Sequence, residues 1–228
     1  MKKLIKAFYP DVCPRCDKVI GIVGLCNDCK YAFKYMKKPT CGICGRTMDS
    51  DGYRCPDCEK IKHYFKRNVS VFEYKGDIKE TIYRFKYSNM RCYAEFFGAE
   101  AIKQYGKLLG TWKVEAIIPV PMYKPKRKRR GYNQAEEFAR CLGKEIGIRV
   151  DTKLLIRNKD TAPMKTLSKQ QRYENLLKAF KINNKPTYKR VLVVDDIFTT
   201  GSTIDACARA LRQNGVENVY GLCIASGS

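Results

Sequence analysis

The chain has 228 residues, enough to bury a hydrophobic core as one large domain or as a main domain with a small satellite. Its 45 lysines and arginines outnumber 23 aspartates and glutamates, and the formal net charge of +22 favours polyphosphate partners, either nucleotides or nucleic acids. The N-terminal residues lack the apolar run of a secretory signal, and no segment approaches the roughly 18 apolar residues of a membrane span. We therefore expect a cytoplasmic protein without a membrane span.

Eight of the 12 cysteines form four CxxC pairs within the first 58 residues. In a reducing compartment such pairs indicate metal binding, and two pairs complete a four-sulfur shell that suits Zn²⁺ and leaves no position for a catalytic water. The sequence thus predicts two structural zinc sites. Sequential pairing is the simpler arrangement, and the spacing also permits an interleaved one. The predicted ligands are Cys13, Cys16, Cys26, Cys29, Cys41, Cys44, Cys55 and Cys58.

The other cysteines are single and lie in apolar or helical surroundings, which is typical of packed thiols. They are Cys92, Cys141, Cys207 and Cys223. The single histidine, His63, lies outside the CxxC pairs, and we do not expect it to be a metal ligand.

The composition changes near residue 62, from a cysteine-rich segment with turn residues to periodic apolar segments. This change predicts a small zinc-binding domain over 1–62 and a larger domain over 63–228. The larger domain begins with a strand at 70–76 and a helix at 78–88 that has Ile78, Ile82 and Phe85 on one side. Further strands are predicted at 115–121, 152–158, 190–196 and 219–226, with helices at 133–145 and 203–214. This alternation predicts an α/β fold with a doubly wound, mostly parallel sheet.

The connection over 157–180 is unusually long for such a fold and indicates a lid or binding loop, although a surface helix with a basic face is the alternative. A second polar segment, 124–130, holds six lysines and arginines. Such a run is typical of a solvated or nucleic-acid-binding stretch.

Two carboxylates end the strand predicted at 190–196, and a hydroxyl-rich turn separates it from the helix that follows. Ligands of parallel sheets bind beyond the carboxyl ends of strands, where the next helix presents free N–H groups to an anion. Carboxylates beside such a cradle suit a sugar phosphate, whose hydroxyls need acceptors. The alternative is a strand end with solvated aspartates and a helix cap. The residues concerned are Asp195, Asp196, Thr199, Thr200, Gly201, Ser202 and Thr203.

Residues 190–203 resemble the phosphoribosyl pyrophosphate signature of type I phosphoribosyltransferases, except that Ser202 stands where many members have a second glycine. The resemblance implies that Asp195 and Asp196 form the catalytic pair that holds the ribose 2- and 3-hydroxyls. It also implies that 199–203 bind the 5-phosphate, and that Arg130 and Gly131 bind pyrophosphate, which carries Mg²⁺.

Together with the segments PVP at 119–121, RGYNQ at 130–134 and 161–180, this signature resembles the ComF family of competence proteins. The resemblance implies a double zinc ribbon over 1–62, a phosphoribosyltransferase-like domain over 63–228, and a role in handling single-stranded DNA during natural transformation. A helicase or another DNA-uptake protein is the kind of partner implied. Met164 departs from the pattern, because a glutamine is expected there.

Two functions fit these features. The first is a phosphoribosyltransferase with an unidentified acceptor, and the second is a non-enzymatic single-stranded-DNA-binding protein that keeps the sugar-phosphate pocket as a sensor or relic. Aromatic and basic residues interleave at 31–38 and 63–67, which suits base stacking beside phosphates or the small core of the ribbons.

Overall fold

A computed structural model describes residues 11–158, 176 and 178–227. The helices are α1 (Pro56–Lys60), α2 (Asp77–Tyr87), α3 (Tyr93–Trp112), α4 (Lys124–Arg130), α5 (Gln134–Ile146) and α6 (Ser202–Gln213). The strands are β1 (Arg67–Glu73), β2 (Ala116–Pro119), β3 (Leu155–Arg157), β4 (Phe180–Ile182), β5 (Arg190–Phe198) and β6 (Asn218–Ser226).

Four of the strands form one parallel sheet in the order β1-β6-β5-β2. Neighbouring residues of β5 face different cores: Leu192 and Val194 pack with α2, α3 and α5, whereas Val191 and Val193 pack with α6. Strands buried on both faces in this way are characteristic of parallel sheets covered by helices. The predicted doubly wound, mostly parallel α/β fold is confirmed.

Three predicted helices are found within two residues of their expected bounds. On α2, Ile78, Ile82 and Phe85 are fully buried, as the spacing indicated. α5 begins after Asn133, whose side chain accepts a hydrogen bond from the backbone N–H of Ala135 (3.2 Å) and thereby caps the helix. α6 begins one residue before the predicted start and ends at Gln213.

Other elements differ from the sequence interpretation. The 20-residue helix α3 was not predicted, and the basic run at 124–130, for which no secondary structure was predicted, forms α4. Cys92 is exposed, so its interpretation as a packed thiol was wrong, whereas Cys207 and Cys223 are fully buried. The weak strand is β3, which pairs antiparallel with β4. The lid predicted over 157–180, with Met164, falls largely outside the described residues.

The cysteine-rich segments 13–29 and 41–58 are called the first and the second ribbon. The residues between these ribbons extend the sheet at its β1 edge. Met36 donates its backbone N–H to the carbonyl of Val71 (3.1 Å), and Glu73 donates to the carbonyl of Lys34 (2.8 Å). A sheet edge that is covered in this way is protected from pairing with another chain. Among the described helices, none combines the length and the apolar character needed to cross a membrane.

Candidate functional site

The eight N-terminal cysteines form two groups of four. The sulfurs of Cys13, Cys16, Cys26 and Cys29, the first cysteine site, lie within 4.8 Å of one another. The same holds for Cys41, Cys44, Cys55 and Cys58, the second cysteine site. The pairing is therefore sequential. In the described part of the chain, neither group includes a histidine or a carboxylate.

One thiol in each cysteine site is set up to ionise. Burial disfavours the thiolate form of each, but hydrogen bonds from backbone N–H groups outweigh the effect of burial. They lower the pKa of Cys13 to about 7 and that of Cys41 to about 6. The N–H of Cys55, for example, donates to Sγ of Cys41 (3.3 Å). Because the thiolate is the form that binds zinc, both sets of sulfurs fit tetrahedral Zn²⁺.

The first cysteine site is attached to the larger domain through α2. The guanidinium of Arg84 donates to the carbonyls of Pro14 (2.8 Å) and Arg15 (2.6 Å) and forms an ion pair with Asp17. Asp17 also accepts a hydrogen bond from the hydroxyl of Tyr93 at the start of α3. These contacts orient the first ribbon on the helices.

The second cysteine site is connected to α6. Nε2 of His63 lies 3.6 Å from Sγ of Cys58, and Nδ1 lies 3.5 Å from a carboxylate oxygen of Asp205. That oxygen also accepts the backbone N–H of Tyr64 (2.6 Å). Asp205 is buried in the first turn of α6, and its own N–H donates to the carbonyl of Gly201 (2.9 Å). The second ribbon thus contacts the helix that follows the predicted phosphate turn.

The two predicted carboxylates lie near the carboxyl end of β5. Burial, reinforced by the negative charge of Asp196, raises the pKa of Asp195 to about 7. Asp196 forms an ion pair with Lys86 of α2, with Nζ and Oδ1 2.9 Å apart. Burial opposes the charge of Lys86, but attraction to Asp196 and then Asp195 raises its pKa above the ordinary value. Arg157 of β3 also attracts Asp195.

The hydroxyl-rich turn follows β5 directly. Thr199 and Thr200 are exposed, and the hydroxyls of Thr200 and Ser202 lie 2.7 Å apart. Gly201 has a φ of +78°, and a Cβ at this position would lie 2.7 Å from the ring of Phe198. Both the backbone conformation and the space therefore require glycine. This turn presents the N-terminus of α6 to solvent, a geometry that suits an anion.

The RGYNQ segment joins α5 to the end of α2. The hydroxyl of Tyr132 donates to the carbonyl of Phe85, and the amide of Gln134 donates to the carbonyls of Phe85 (3.4 Å) and Lys86 (3.5 Å). The amide of Asn133 donates to the carbonyl of Val120, just beyond β2 (2.9 Å). These bonds position Lys86 beside the acid pair.

The predicted pyrophosphate residues lie at the end of α4. The guanidinium of Arg130 donates to Oε1 of Gln134 and lies over the ring of Tyr87, 4.7 Å from its centroid. Gly131 follows with a φ of +86°, and its carbonyl accepts from Arg91 (3.1 Å). The side chain of Arg130 is thus directed towards α2 in this structure.

Two cavities open at the carboxyl end of the sheet. One, of about 510 Å³, lies between the second ribbon and the ends of β1 and β6, and its lining includes Arg46, Glu73 and Gly227. The other, of about 380 Å³, lies beyond β2, and its lining includes Arg127 and Arg157. Neither is lined by 195–203. Because β5 lies between β6 and β2, the acid pair and the turn lie between the two cavities.

Sequence analysis identified the acid pair and the turn, but not their neighbours. It missed Lys86 and Arg157, which face the carboxylates, and the contact of His63 with Asp205. Each of these interactions joins segments that are far apart in sequence, and none of Lys86, Arg157 and His63 belongs to a recognisable motif.

Comparisons with known proteins match both parts of the chain. The model of the double zinc ribbon domain matches residues 4–59, and that of the phosphoribosyl transferase domain matches residues 128–227. The chain is 34% identical over 211 residues to Competence protein F of Haemophilus influenzae, covering 89% of this chain and 91% of that protein.

Two other relatives are similar over comparable lengths. Competence protein ComFC of Bacillus subtilis is 28% identical, covering 84% of this chain and 79% of that protein. DNA utilization protein YhgH of Escherichia coli K12 is 26% identical, covering 94% and 96%. Among solved structures, phosphoribosylpyrophosphate synthetase of Mycobacterium smegmatis is 18% identical with a TM-score of 0.33, covering 56% of this chain and 33% of that chain. A likeness of that size says nothing about the function of this chain.

Proposed function

The chain belongs to the ComF family of competence proteins, and from that membership we propose that it binds phosphoribosyl pyrophosphate with Mg²⁺ at the end of β5 and single-stranded DNA on its basic surface. The observation that carries the proposal is the acid pair Asp195 and Asp196 near the end of β5, followed two residues later by a turn that begins with the exposed Thr199 and Thr200 and leads into α6. A cradle of this kind beside carboxylates suits a phosphorylated sugar better than a bare phosphate.

Each part of the site has a distinct role in this proposal. Asp195 and Asp196 accept hydrogen bonds from the ribose 2- and 3-hydroxyls, and the turn 199–203 binds the 5-phosphate. Lys86 balances the negative charge of the acid pair. Arg130 and Gly131 bind the pyrophosphate group, after Arg130 has turned from Gln134. Mg²⁺, when bound to the pyrophosphate, neutralises part of its charge.

The reaction proposed for the site is a substitution at the anomeric carbon. The bond between this carbon and the pyrophosphate oxygen breaks, and pyrophosphate leaves with the electron pair. A bond to the acceptor's nucleophilic atom forms in its place. The carboxylates of Asp195 and Asp196 stabilise the positive charge that develops on the sugar, so no nucleophilic side chain is required.

The domain organisation follows the same proposal. Residues 1–62 form a double zinc ribbon with two structural Zn²⁺ ions, and residues 63–228 form the phosphoribosyltransferase-like domain. We place the protein in the cytoplasm, where incoming single strands and a helicase or other DNA-uptake partner would meet it. The name of the E. coli relative, a DNA utilization protein, supports a role with DNA.

A non-enzymatic DNA-binding protein is the second candidate. In it the sugar-phosphate pocket would act as a sensor or relic, and the ion pair between Lys86 and Asp196 favours it, because the acid pair is already partly neutralised without a ligand. Release of inorganic pyrophosphate from phosphoribosyl pyrophosphate, measured with and without single-stranded DNA, separates the two. An enzyme releases pyrophosphate in step with acceptor consumption, whereas a sensor binds without release.

Calorimetric titration with phosphoribosyl pyrophosphate and Mg²⁺ tests the binding site. The zinc-loaded full chain should give a saturable heat that Asp195→Asn and Asp196→Asn each reduce by about tenfold or more in affinity, because a charge-assisted hydrogen bond contributes roughly 1.5–3 kcal/mol. Glu115→Gln changes a carboxylate just before β2, where it pairs with Arg190 at the other end of the sheet, and should bind like the parent. A parent protein that binds no phosphoribosyl pyrophosphate refutes the proposal.

A further inference from the structure

Two tyrosines of α2 form an exposed aromatic pair. Tyr83 is 61% exposed and Tyr87 is 59% exposed, and their ring centroids are 4.8 Å apart at an interplanar angle of 44°. Their four-residue spacing places both on one face of the helix, away from the buried Ile78 and Ile82. Exposed rings in mutual contact contribute nothing to the core, and they offer a partner a flat apolar surface.

Cations border this pair on the side of α4. Arg130 lies over the ring of Tyr87, and the helix carries six lysines and arginines, with no buried residue and no acidic residue in its first turn. Of these, Lys124, Arg127, Lys128 and Arg129 are exposed. Arg127 is partly neutralised by Glu136, which leaves the others as the main positive charge of the helix surface.

We propose that Tyr83, Tyr87 and the exposed face of α4, together the tyrosine platform, form a docking surface for single-stranded DNA. Unpaired bases stack on the tyrosine rings while the phosphates bind the cations of α4. Duplex DNA is disfavoured, because its bases are already stacked on one another and cannot reach the rings. This placement rests on the proposed role in DNA handling and gives that role a surface.

The platform adjoins the proposed sugar-phosphate site through α2 and α4. Lys86, beside Tyr87 in the chain, forms the ion pair with Asp196. Arg130, which lies over Tyr87, is also the proposed pyrophosphate ligand. A DNA strand on the tyrosine platform therefore lies next to the acid pair, and the two ligands are expected to influence each other's binding.

Fluorescence anisotropy of the zinc-loaded full chain with labelled oligodeoxythymidylate of about 20 nucleotides tests the platform. The variant with both Tyr83→Leu and Tyr87→Leu should bind about tenfold or more weakly, because two stacking surfaces are lost. Its salt dependence should equal that of the parent, since no phosphate contact is removed. The variant with both Lys128→Ala and Arg129→Ala should instead show a shallower salt dependence.

Tyr31→Leu is the matched control, because Tyr31 is 83% exposed in the first ribbon and has Lys30 over its ring. It should bind like the parent. An oligonucleotide of the same length without bases should bind the parent and the double tyrosine variant equally. The single variant Tyr83→Leu, which leaves the contact between Arg130 and Tyr87 in place, should keep its heat of binding to phosphoribosyl pyrophosphate.

Each contrary result identifies what is wrong. If the parent binds single strands and the double tyrosine variant binds within twofold of it, the platform is wrong, while the proposed function stands. If Tyr31→Leu weakens binding as much as the double variant, the rings of α2 are not the docking surface. If the parent binds no single-stranded DNA, the platform and the DNA role in the proposed function both fail.

Discussion

Lys86→Met removes the cation that forms an ion pair with Asp196 and keeps most of the side chain's volume. The ammonium of Lys86 and the carboxylate of Asp196 are 2.9 Å apart, and their side chains are only 20% and 14% exposed. Removing one partner of a buried ion pair costs about 3–5 kcal/mol. Because both side chains keep some contact with solvent, we expect a loss of about 2–3 kcal/mol in the free energy of unfolding near pH 8.

The loss should depend on pH through Asp195. Burial raises the pKa of Asp195 to about 7, above its ordinary value of 3.8, so between these values the folded protein binds more protons than the unfolded chain. Its contribution to stability therefore decreases as the pH rises towards 7. Without Lys86 this pKa rises further, because Lys86 favours the ionised form. The gap in stability between parent and variant should thus be larger at pH 8 than at pH 6.

Urea unfolding of the zinc-loaded protein at pH 6 and pH 8 measures this gap. Adding Asp196→Asn to Lys86→Met should restore much of the lost stability, because the uncompensated charge is gone. Lys189→Met is the control: it removes an exposed ion pair with Glu217 of similar length (2.8 Å), and it should have little effect at either pH. An equal loss at both pH values, or no recovery with Asp196→Asn, would refute the electrostatic account of the acid pair.

Three further predictions concern ligand binding. Affinity for Mg²⁺ and phosphoribosyl pyrophosphate, measured by calorimetry, should fall by up to about tenfold per pH unit below pH 7, because Asp195 takes up a proton. Asp195→Asn should remove this part of the pH dependence. A parent profile identical to that of the variant would contradict the prediction. Gly201→Ala should lower the free energy of unfolding by about 1–2 kcal/mol in thermal unfolding and abolish binding of phosphoribosyl pyrophosphate, because an alanine is strained at this φ and its Cβ has no space. Normal binding by this variant would argue against the turn as the phosphate site. Cys58→Ser should reduce the zinc content by one ion and weaken binding of ribose 5-phosphate, because the second cysteine site contacts α6 through His63 and Asp205. Cys16→Ser should also lose one zinc ion but bind ribose 5-phosphate normally. Equal effects of the two changes on binding would exclude the contact with α6 as the cause.

The centre of the fold could be predicted because its signals are local. The apolar run of β5, the acid pair, the glycine turn and the apolar spacing of α6 follow one another directly, and each is typical of one structure. The CxxC pairs are equally local, and their sequential grouping is confirmed by the positions of the sulfurs. Spacing alone left the interleaved arrangement open.

The missed elements lack such signals. α3 begins after Cys92 without a side-chain cap, and its buried residues, which include Phe96, Phe97 and Ala101, are too broadly distributed to show one apolar stripe. α4 consists of six lysines and arginines and one proline, and it has no buried residue, so it lacks the apolar stripe that would indicate a helix. Lys86 contacts Asp196 only because the RGYNQ segment holds the end of α2 against α5, which no local pattern reveals.

Backbone hydrogen exchange at 199–203 tests the central claim most directly, that this turn binds the phosphate of a phosphorylated sugar. Ribose 5-phosphate should slow exchange of the amides in the turn and at the start of α6, because N–H groups bound to phosphate are protected. Ribose without a phosphate group should not slow it. If ribose 5-phosphate leaves these amides unchanged, or protects only residues elsewhere in the chain, the acid pair and the glycine turn do not form a sugar-phosphate site.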